Sequence, residues 1–164
     1  MASWDEAVVV ALGGNLGDGT SAVLEAALGR FEGEGLRILE RSSWWRSQAW
    51  PDPSQPDYLN GVAIVETALD PSQVLDALHR IEAAFGRTRH ERNAPRAVDL
   101  DLIAYGRRVL DGPGLQLPHP RAADRRFVMG PLAQVAPGWR HPVHGKTAAD
   151  LAAAATVGRD AATM

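Results

Sequence analysis

Two carboxylates separated by one residue occur in Val98-Asp99-Leu100-Asp101-Leu102. Side chains alternate faces along an extended strand, so Asp99 and Asp101 share one face and Val98, Leu100 and Leu102 enter the core from the other. Aspartate is depleted in strands, and two carboxylates about 7 Å apart along the backbone can converge on a hard divalent cation. Mg2+ takes one or two carboxylates and fills its shell with phosphate oxygens and water, which makes a nucleotide the natural third party. A solvent-facing polar stripe on a half-exposed sheet is the competing explanation for the pair alone. Just upstream, Arg87, Arg89, Arg92 and Arg96 stand against one acid, Glu91: four positive charges less one negative, +3 locally in a chain of net charge −3. Guanidinium forks beside carboxylates suit a metal–phosphate complex. A cationic segment in an acidic chain also favours a small anion over a long polyanion.

The remaining candidates are individually weaker. Gly13-Gly14-Asn15-Leu16-Gly17 lacks the terminal Lys-Ser/Thr of a phosphate-binding P-loop and does not match a dinucleotide fingerprint. By itself it reads as a turn, or as a place where backbone is approached closely. His79 and Glu82, three residues apart, share a helix face, which could equally be an exposed polar face. His119 is restrained between Pro118 and Pro120 and followed by Arg121, Arg125 and Arg126; near a phosphate it would be a donor. His141 and His144 read as surface residues, with no third ligand for zinc. Tyr58, Trp44, Trp45, Trp50 and Phe127 fit a core, but the loop position of Trp50 and the strand-start position of Tyr58 hint at a ligand surface.

The elements that must position these groups follow from hydrophobic periodicity. Glu6–Leu12 reads as a buried strand broken by Gly13 and Gly14. A helix with Val23, Leu24, Ala27, Leu28 and Phe31 on one face follows, capped by Asp18 or Thr20 and ended by Gly33 and Gly35. Leu36–Arg46 reads as one strand. The proline-bearing stretch Ser47–Asp57 reads as a semi-rigid loop, and Tyr58–Thr67 as a strand. Asp70-Pro71 opens a helix with a clean stripe from Val74 to Phe85, stopped by Gly86. The arginine-rich segment is a loop, Ala97–Tyr105 a strand, and Gly106–Gly114 a turn with a short hairpin. Short helices over Phe127–Val135 and Thr147–Ala155 complete the chain. The order β-α-β-β-α-β is the split βαβ pattern of an α+β, ferredoxin-like sandwich, with a mostly antiparallel sheet and helices packed on it.

Composition narrows the class. The chain has 164 residues, 45% apolar and 23% charged, enough for one core and too apolar for disorder. No apolar run approaches the roughly 18 residues of a membrane span, and no secretory signal pattern is present. Cysteine is absent, which excludes disulfides and thiol chemistry and fits a reducing, cytoplasmic setting.

Four blocks together resemble hydroxymethyldihydropterin pyrophosphokinase, an enzyme family of the folate pathway: ALGGNLGD (residues 11–18), QPDYLN (55–60), FGRTRHERNAPRAVDLDLIAYG (85–106) and LPHPRAADRRFVMGPL (117–132). They lie in the family's order over nearly the whole chain, and the resemblance implies a single pyrophosphokinase domain over residues 1–164. It implies transfer of the β,γ-pyrophosphoryl group of ATP to the hydroxymethyl oxygen of 6-hydroxymethyl-7,8-dihydropterin, with release of AMP. By the same resemblance Asp99 and Asp101 would hold two Mg2+ ions on the triphosphate. Arg87 and Arg96 would serve catalysis and, with His119 and Arg125, contact phosphate groups; Arg89 and Arg92 would assist from a closing loop. Gln55, His79, Glu82, Leu102 and Gln116 would lie around the nucleotide. Asn60 would hydrogen-bond the pterin, Tyr58 and Phe127 would sandwich its ring, and Gly13, Ser47 and Trp50 would complete the pocket. The implied partners are these small molecules, with no nucleic acid and no membrane, acting on a monomer.

The chain departs from the family pattern in places. The usual Gly-Ser-Asn is Gly13-Gly14-Asn15, which loses a hydroxyl and keeps the turn. A tryptophan that some members carry in the arginine-rich loop, near Asn93, is missing, and Trp50 is the residue placed to cover the site instead. Two other readings stand beside this one. A different Mg2+-dependent phosphotransferase or nucleotidyltransferase could use the same carboxylates. An RNA-binding ferredoxin-like sheet is disfavoured by the acidic charge and the lack of an aromatic RNA-binding pattern.

Overall fold

The computed structural model describes residues 4–15, 19–48, 54–86 and 98–164. A run of valines opens β1 (Val8–Gly14), every residue of which is buried. An uninterrupted apolar strand needs cover on both faces, and it has it. Val8, Val10 and Leu12 face α1 (Thr20–Leu28) and α2 (Pro71–Ala84), packing with Leu24, Leu28, Leu78 and Ile81. Val9 and Ala11 face the opposite way, toward α3 (Arg126–Val135) and α4 (Ala148–Ala154), in a second core with Met129, Leu132 and Leu151.

β1 is central. It pairs antiparallel with β4 (Tyr58–Glu66) on one side and with β5 (Asp99–Tyr105) on the other. β4 in turn pairs with both β2 (Arg37–Arg41) and β3 (Trp45–Ser47). The order β5-β1-β4-β3 is the ferredoxin-like arrangement expected from the element order. A hairpin of β6 (Leu110–Gly112) and β7 (Leu115–Leu117) follows β5.

Several expectations shift. β1 runs on through Gly13 and Gly14, which are strand residues paired to β4, not a turn. The first helix stops at Gly29, earlier than the two glycines suggested; Phe31 lies beyond it and is still fully buried. The single strand expected over residues 36–46 is two strands. Ser42 interrupts it, its Oγ accepting from the Val62 N–H at 2.9 Å, while the Trp44 ring lies so close to Gly61 that a Cβ there would sit 2.8 Å from it. The Asp70 cap is a full capping box: Asp70 Oδ1 accepts the Gln73 N–H and Gln73 Oε1 accepts the Asp70 N–H. The hairpin extends to Leu117. The chain also adds a short strand that periodicity did not predict: β8 (Ala162–Thr163) pairs with Trp45 and Arg46 of β3.

Candidate active site

The sheet face that carries α3 also carries the candidate residues, gathered at one end of the strands. Register across this end puts Asp99 of β5 opposite Gly13 of β1, Gly13 opposite Asn60 of β4, and Asn60 opposite Trp45 of β3. Paired residues of an antiparallel sheet share a face, so Asp99 and Asn60 flank the bare backbone of Gly13. The approach is close: a Cβ on Gly13 would lie 2.5 Å from Asn60 Oδ1, so a larger residue there would displace the Asn60 amide. Tyr58, two residues before Asn60, is on the same face and half-buried.

Asp101 lies one pleat further along β5, opposite Ala11, and is exposed; Leu100 and Leu102 are buried on the α2 side, as alternation required. Beyond Asp101 the register slips by one residue at Ile103. The Ile103 carbonyl accepts the backbone N–H of His119 at 2.8 Å, which fastens the segment carrying the second set of site residues to the aspartate strand.

That segment brings cations to Asp101. His119, Arg121 and Arg125 lie within electrostatic reach of one another, and Asp101 acts on both His119 and Arg125. Burial pushes the His119 pKa down, and the two arginines add to this against the opposing pull of Asp101. Its imidazole is therefore neutral at pH 7. Nδ1 accepts from the Arg121 N–H at 3.2 Å, so the ring proton sits on Nε2 as a donor. Burial likewise lowers the pKa of the Arg125 guanidinium, which remains a cation. Phe127 follows at the start of α3, half-buried, with the Arg125 guanidinium 5.6 Å from its ring centroid. Arg126, the neighbouring arginine, turns away; its Nε donates to Ala161 O and its Nη1 to Ala152 O.

The other named residues are distributed. Glu82 is only 3% exposed and accepts the Leu100 N–H at 2.9 Å, so it does not share the exposed face of His79, its neighbour on α2. Leu102, Glu82 and His79 lie on the α2 side of β5, across the sheet from Asp101. Gln116 is exposed on β7 and donates to Asp111 at 3.0 Å. A groove of about 290 Å³ joins it to His119. Gln55 accepts from Asn15, a fully buried amide, at 3.4 Å, and Ser47 is buried at the end of β3 beside Tyr58. Trp50, Arg87, Arg89, Arg92 and Arg96 lie outside the described residues. His141 is a correction: it is buried, because its Nδ1 accepts from the N–H groups of Val143 and His144 and its ring meets Trp139 edge-on. Only His144 is at the surface. Arg121 is the residue that the sequence reading named without a role and that the structure sets among the cations.

Among the described residues no group of three or more acidic, histidine or cysteine side chains could hold a metal. The donor set is the carboxylate pair of Asp99 and Asp101, which fits Mg2+ shared with phosphate oxygens and fits poorly a metal caged by protein alone.

Carboxylates facing a cluster of cations at one end of a sheet are the equipment of enzymes that transfer phosphate-bearing groups. A family model described as 7,8-dihydro-6-hydroxymethylpterin-pyrophosphokinase (HPPK) matches residues 9–137, and the chain belongs to this family. The 2-amino-4-hydroxy-6-hydroxymethyldihydropteridine pyrophosphokinase of Synechocystis sp. is 44% identical over 147 residues, covering 87% of this chain and 73% of the relative. The Pseudomonas aeruginosa protein of the same name is 41% identical over 136 residues, 82% and 83% of the two chains. Among solved structures, Plasmodium falciparum HPPK-DHPS with pteroate superposes with a TM-score of 0.72 over 90% of this chain. At 13% identity this likeness is one of fold, and the chain spans 44% of that protein. No helix among the described residues is long and apolar enough to cross a membrane.

Proposed function

We propose that the protein transfers the β,γ-pyrophosphoryl group of ATP to the hydroxymethyl oxygen of 6-hydroxymethyl-7,8-dihydropterin. The hydroxyl oxygen bonds to the β-phosphorus, the bond from that phosphorus to the α,β-bridging oxygen breaks, AMP leaves, and the hydroxyl proton is released. The observation that carries this reading is the row Asp99–Gly13–Asn60 with Asp101, His119, Arg121 and Arg125 beside it. One end of the row suits an amide-rich ring and the other a metal-bound phosphate chain.

Asn60 both donates and accepts through its amide, as a pterin edge requires. Tyr58 and Phe127 supply aromatic faces for the ring. Asp99 and Asp101 would hold two Mg2+ ions in company with triphosphate oxygens, and bound there these ions neutralise charge and orient the phosphates. Transfer of this kind depends on in-line positioning and charge neutralisation more than on covalent help from protein. His119 Nε2–H and the Arg125 guanidinium then act as fixed donors to phosphate oxygen, with Arg87 and Arg96 in the same role by family resemblance. Among the described strands β5 pairs only with β1, so a nucleotide wrapped around its outer edge would meet Asp101 on one face and the α2 side, with the exposed His79, on the other. Lack of cysteine and a net charge of −3 favour a protein working on small molecules in the reducing cytoplasm, without nucleic acid; a single domain acting as a monomer is part of the same proposal.

The test is product analysis with ATP, Mg2+ and the reduced hydroxymethylpterin. Stoichiometric AMP and pterin diphosphate are expected. ADP would mean phosphoryl transfer and free pyrophosphate nucleotidyl transfer, and either product in place of AMP refutes the proposal.

A further inference from the structure

The last residues of the chain lie beyond the segment that the family model matches, residues 9–137, yet they are built into both walls of the proposed pterin cleft. Thr156 donates to Asp124 through its backbone N–H at 2.8 Å and its hydroxyl at 2.5 Å. Val157 exchanges backbone hydrogen bonds with the start of α3, its N–H to Asp124 O at 3.0 Å and its carbonyl from Arg126 N–H at 2.9 Å. Gly158 then passes beneath Phe127 in a left-handed conformation, φ +70°, where a Cβ would lie 2.6 Å from Phe127 Cδ1. Asp160 crosses to the other wall and accepts the Gln48 N–H at 2.7 Å. Ala161 O holds Arg126 at 3.1 Å, and Ala162 and Thr163 add a strand to the edge of β3.

These contacts tie the Phe127 wall to the Ser47–Gln48 wall, with Asp160 on the second, Ala161 back on the first and Ala162 and Thr163 again on the second. We propose that residues 156–163 form a strap that sets the separation of these two walls, with Gly158 and Asp160 as positioning residues for the pterin. Neither touches the ring. Gly158 acts through Phe127, which rests on its bare Cα; Asp160 acts through the backbone that follows Ser47. Val157 brackets Arg125, a nucleotide residue, and is left in place; Gly158 and Asp160 act through Phe127 and the Gln48 N–H, so substitutions at these two fall on the pterin more than on the nucleotide. The inference rests on the pterin reading of the cleft.

Steady-state kinetics of the full chain separate the two ideas. Pterin KM is measured at saturating MgATP and ATP KM at saturating pterin, for wild type, Gly158→Ala, Asp160→Ala and Asp160→Asn, with a melting curve for each. A wild type that does not turn over the hydroxymethylpterin refutes the reading of the cleft, whatever the strap does. Given turnover, Gly158→Ala is expected to raise pterin KM about tenfold, the fold-change of one lost aromatic stacking contact. Asp160→Ala is expected to raise it by about fivefold, and Asp160→Asn, which keeps an acceptor oxygen, to restore it to within about twofold. ATP KM should stay within about twofold throughout. Unchanged pterin KM in folded Gly158→Ala and Asp160→Ala, or equal rises for pterin and ATP, overturns the strap. If Gly158→Ala does not fold, the Asp160 pair decides by itself.

Discussion

Replacing Glu82 by leucine tests how the aspartate strand is held. Among the described strands β5 has one neighbour, β1, and on its other edge the Leu100 N–H is satisfied by a side chain, the Glu82 carboxylate of α2, at 2.9 Å. Leucine has similar volume and no acceptor. The N–H is then buried without its partner, a loss of about 1–3 kcal/mol. For a chain of this length each kcal/mol moves the melting temperature by roughly 2–4 °C, so a loss near the middle of that range predicts a fall of about 4–8 °C. Leu100 lies between the two aspartates, and a displacement of about 1 Å at reacting groups costs up to ~100-fold in rate. Turnover should therefore fall by at least about tenfold, and the Mg2+ concentration for half-maximal rate should rise. Glu82→Gln keeps both the shape and an acceptor oxygen and should recover most of the melting temperature and the rate. Calorimetric titration with metal-free AMP supplies the contrast: a residue that acts by holding β5 leaves AMP affinity unchanged in both variants. Unaltered melting and turnover in Glu82→Leu would refute the reasoning, and a drop in AMP affinity shared by both variants would show that Glu82 contacts the nucleotide itself.

Asp99→Asn and Asp101→Asn should each lower turnover at least ~100-fold, roughly 3 kcal/mol of lost electrostatic stabilisation, with the ligand-free protein still folded; strong destabilisation with intact turnover would make the carboxylates structural. Gly13→Ala, whose methyl would meet Asn60 Oδ1 at 2.5 Å, should raise pterin KM by about tenfold and leave ATP KM alone; equal rises would mean that the substitution distorts the whole cleft. Burial, with added repulsion from His144 and Arg107, pushes the His141 pKa down from 6.5 to about 4. The unfolded chain then binds the extra proton first, so this contribution is complete above pH 6.5 and is lost as the pH falls toward 4, up to roughly 3 kcal/mol. Urea midpoints of wild type and His141→Asn at several pH values measure it, and parallel curves for the two proteins would show that His141 is not the titrating group.

Local periodicity was enough to order the elements and to orient the aspartates. Val98, Leu100 and Leu102 alternate with Asp99 and Asp101, and a period of two residues leaves one choice of face once the apolar set is buried. The stripe from Val74 to Phe85 and the Asp70-Pro71 start fixed α2 for the same reason, since both signals lie within a few residues of what they govern. Tertiary structure decided what depends on partners distant in the chain. Glu82 and His79 look alike on a helix wheel, and the edge N–H of Leu100, a partner 18 residues away, meets the buried one while the other is exposed. Arg125 and Arg126 are adjacent and of the same type; Asp101 acts on the first, while the carbonyls of Ala152 and Ala161 hold the second. Gly13 could be read as a turn until Asn60, 47 residues later, was found lying across it. The strap over residues 156–163 has no periodic signature at all, because its order comes from hydrogen bonds to other segments and its fixed point is a glycine set by a left-handed backbone and the ring above it.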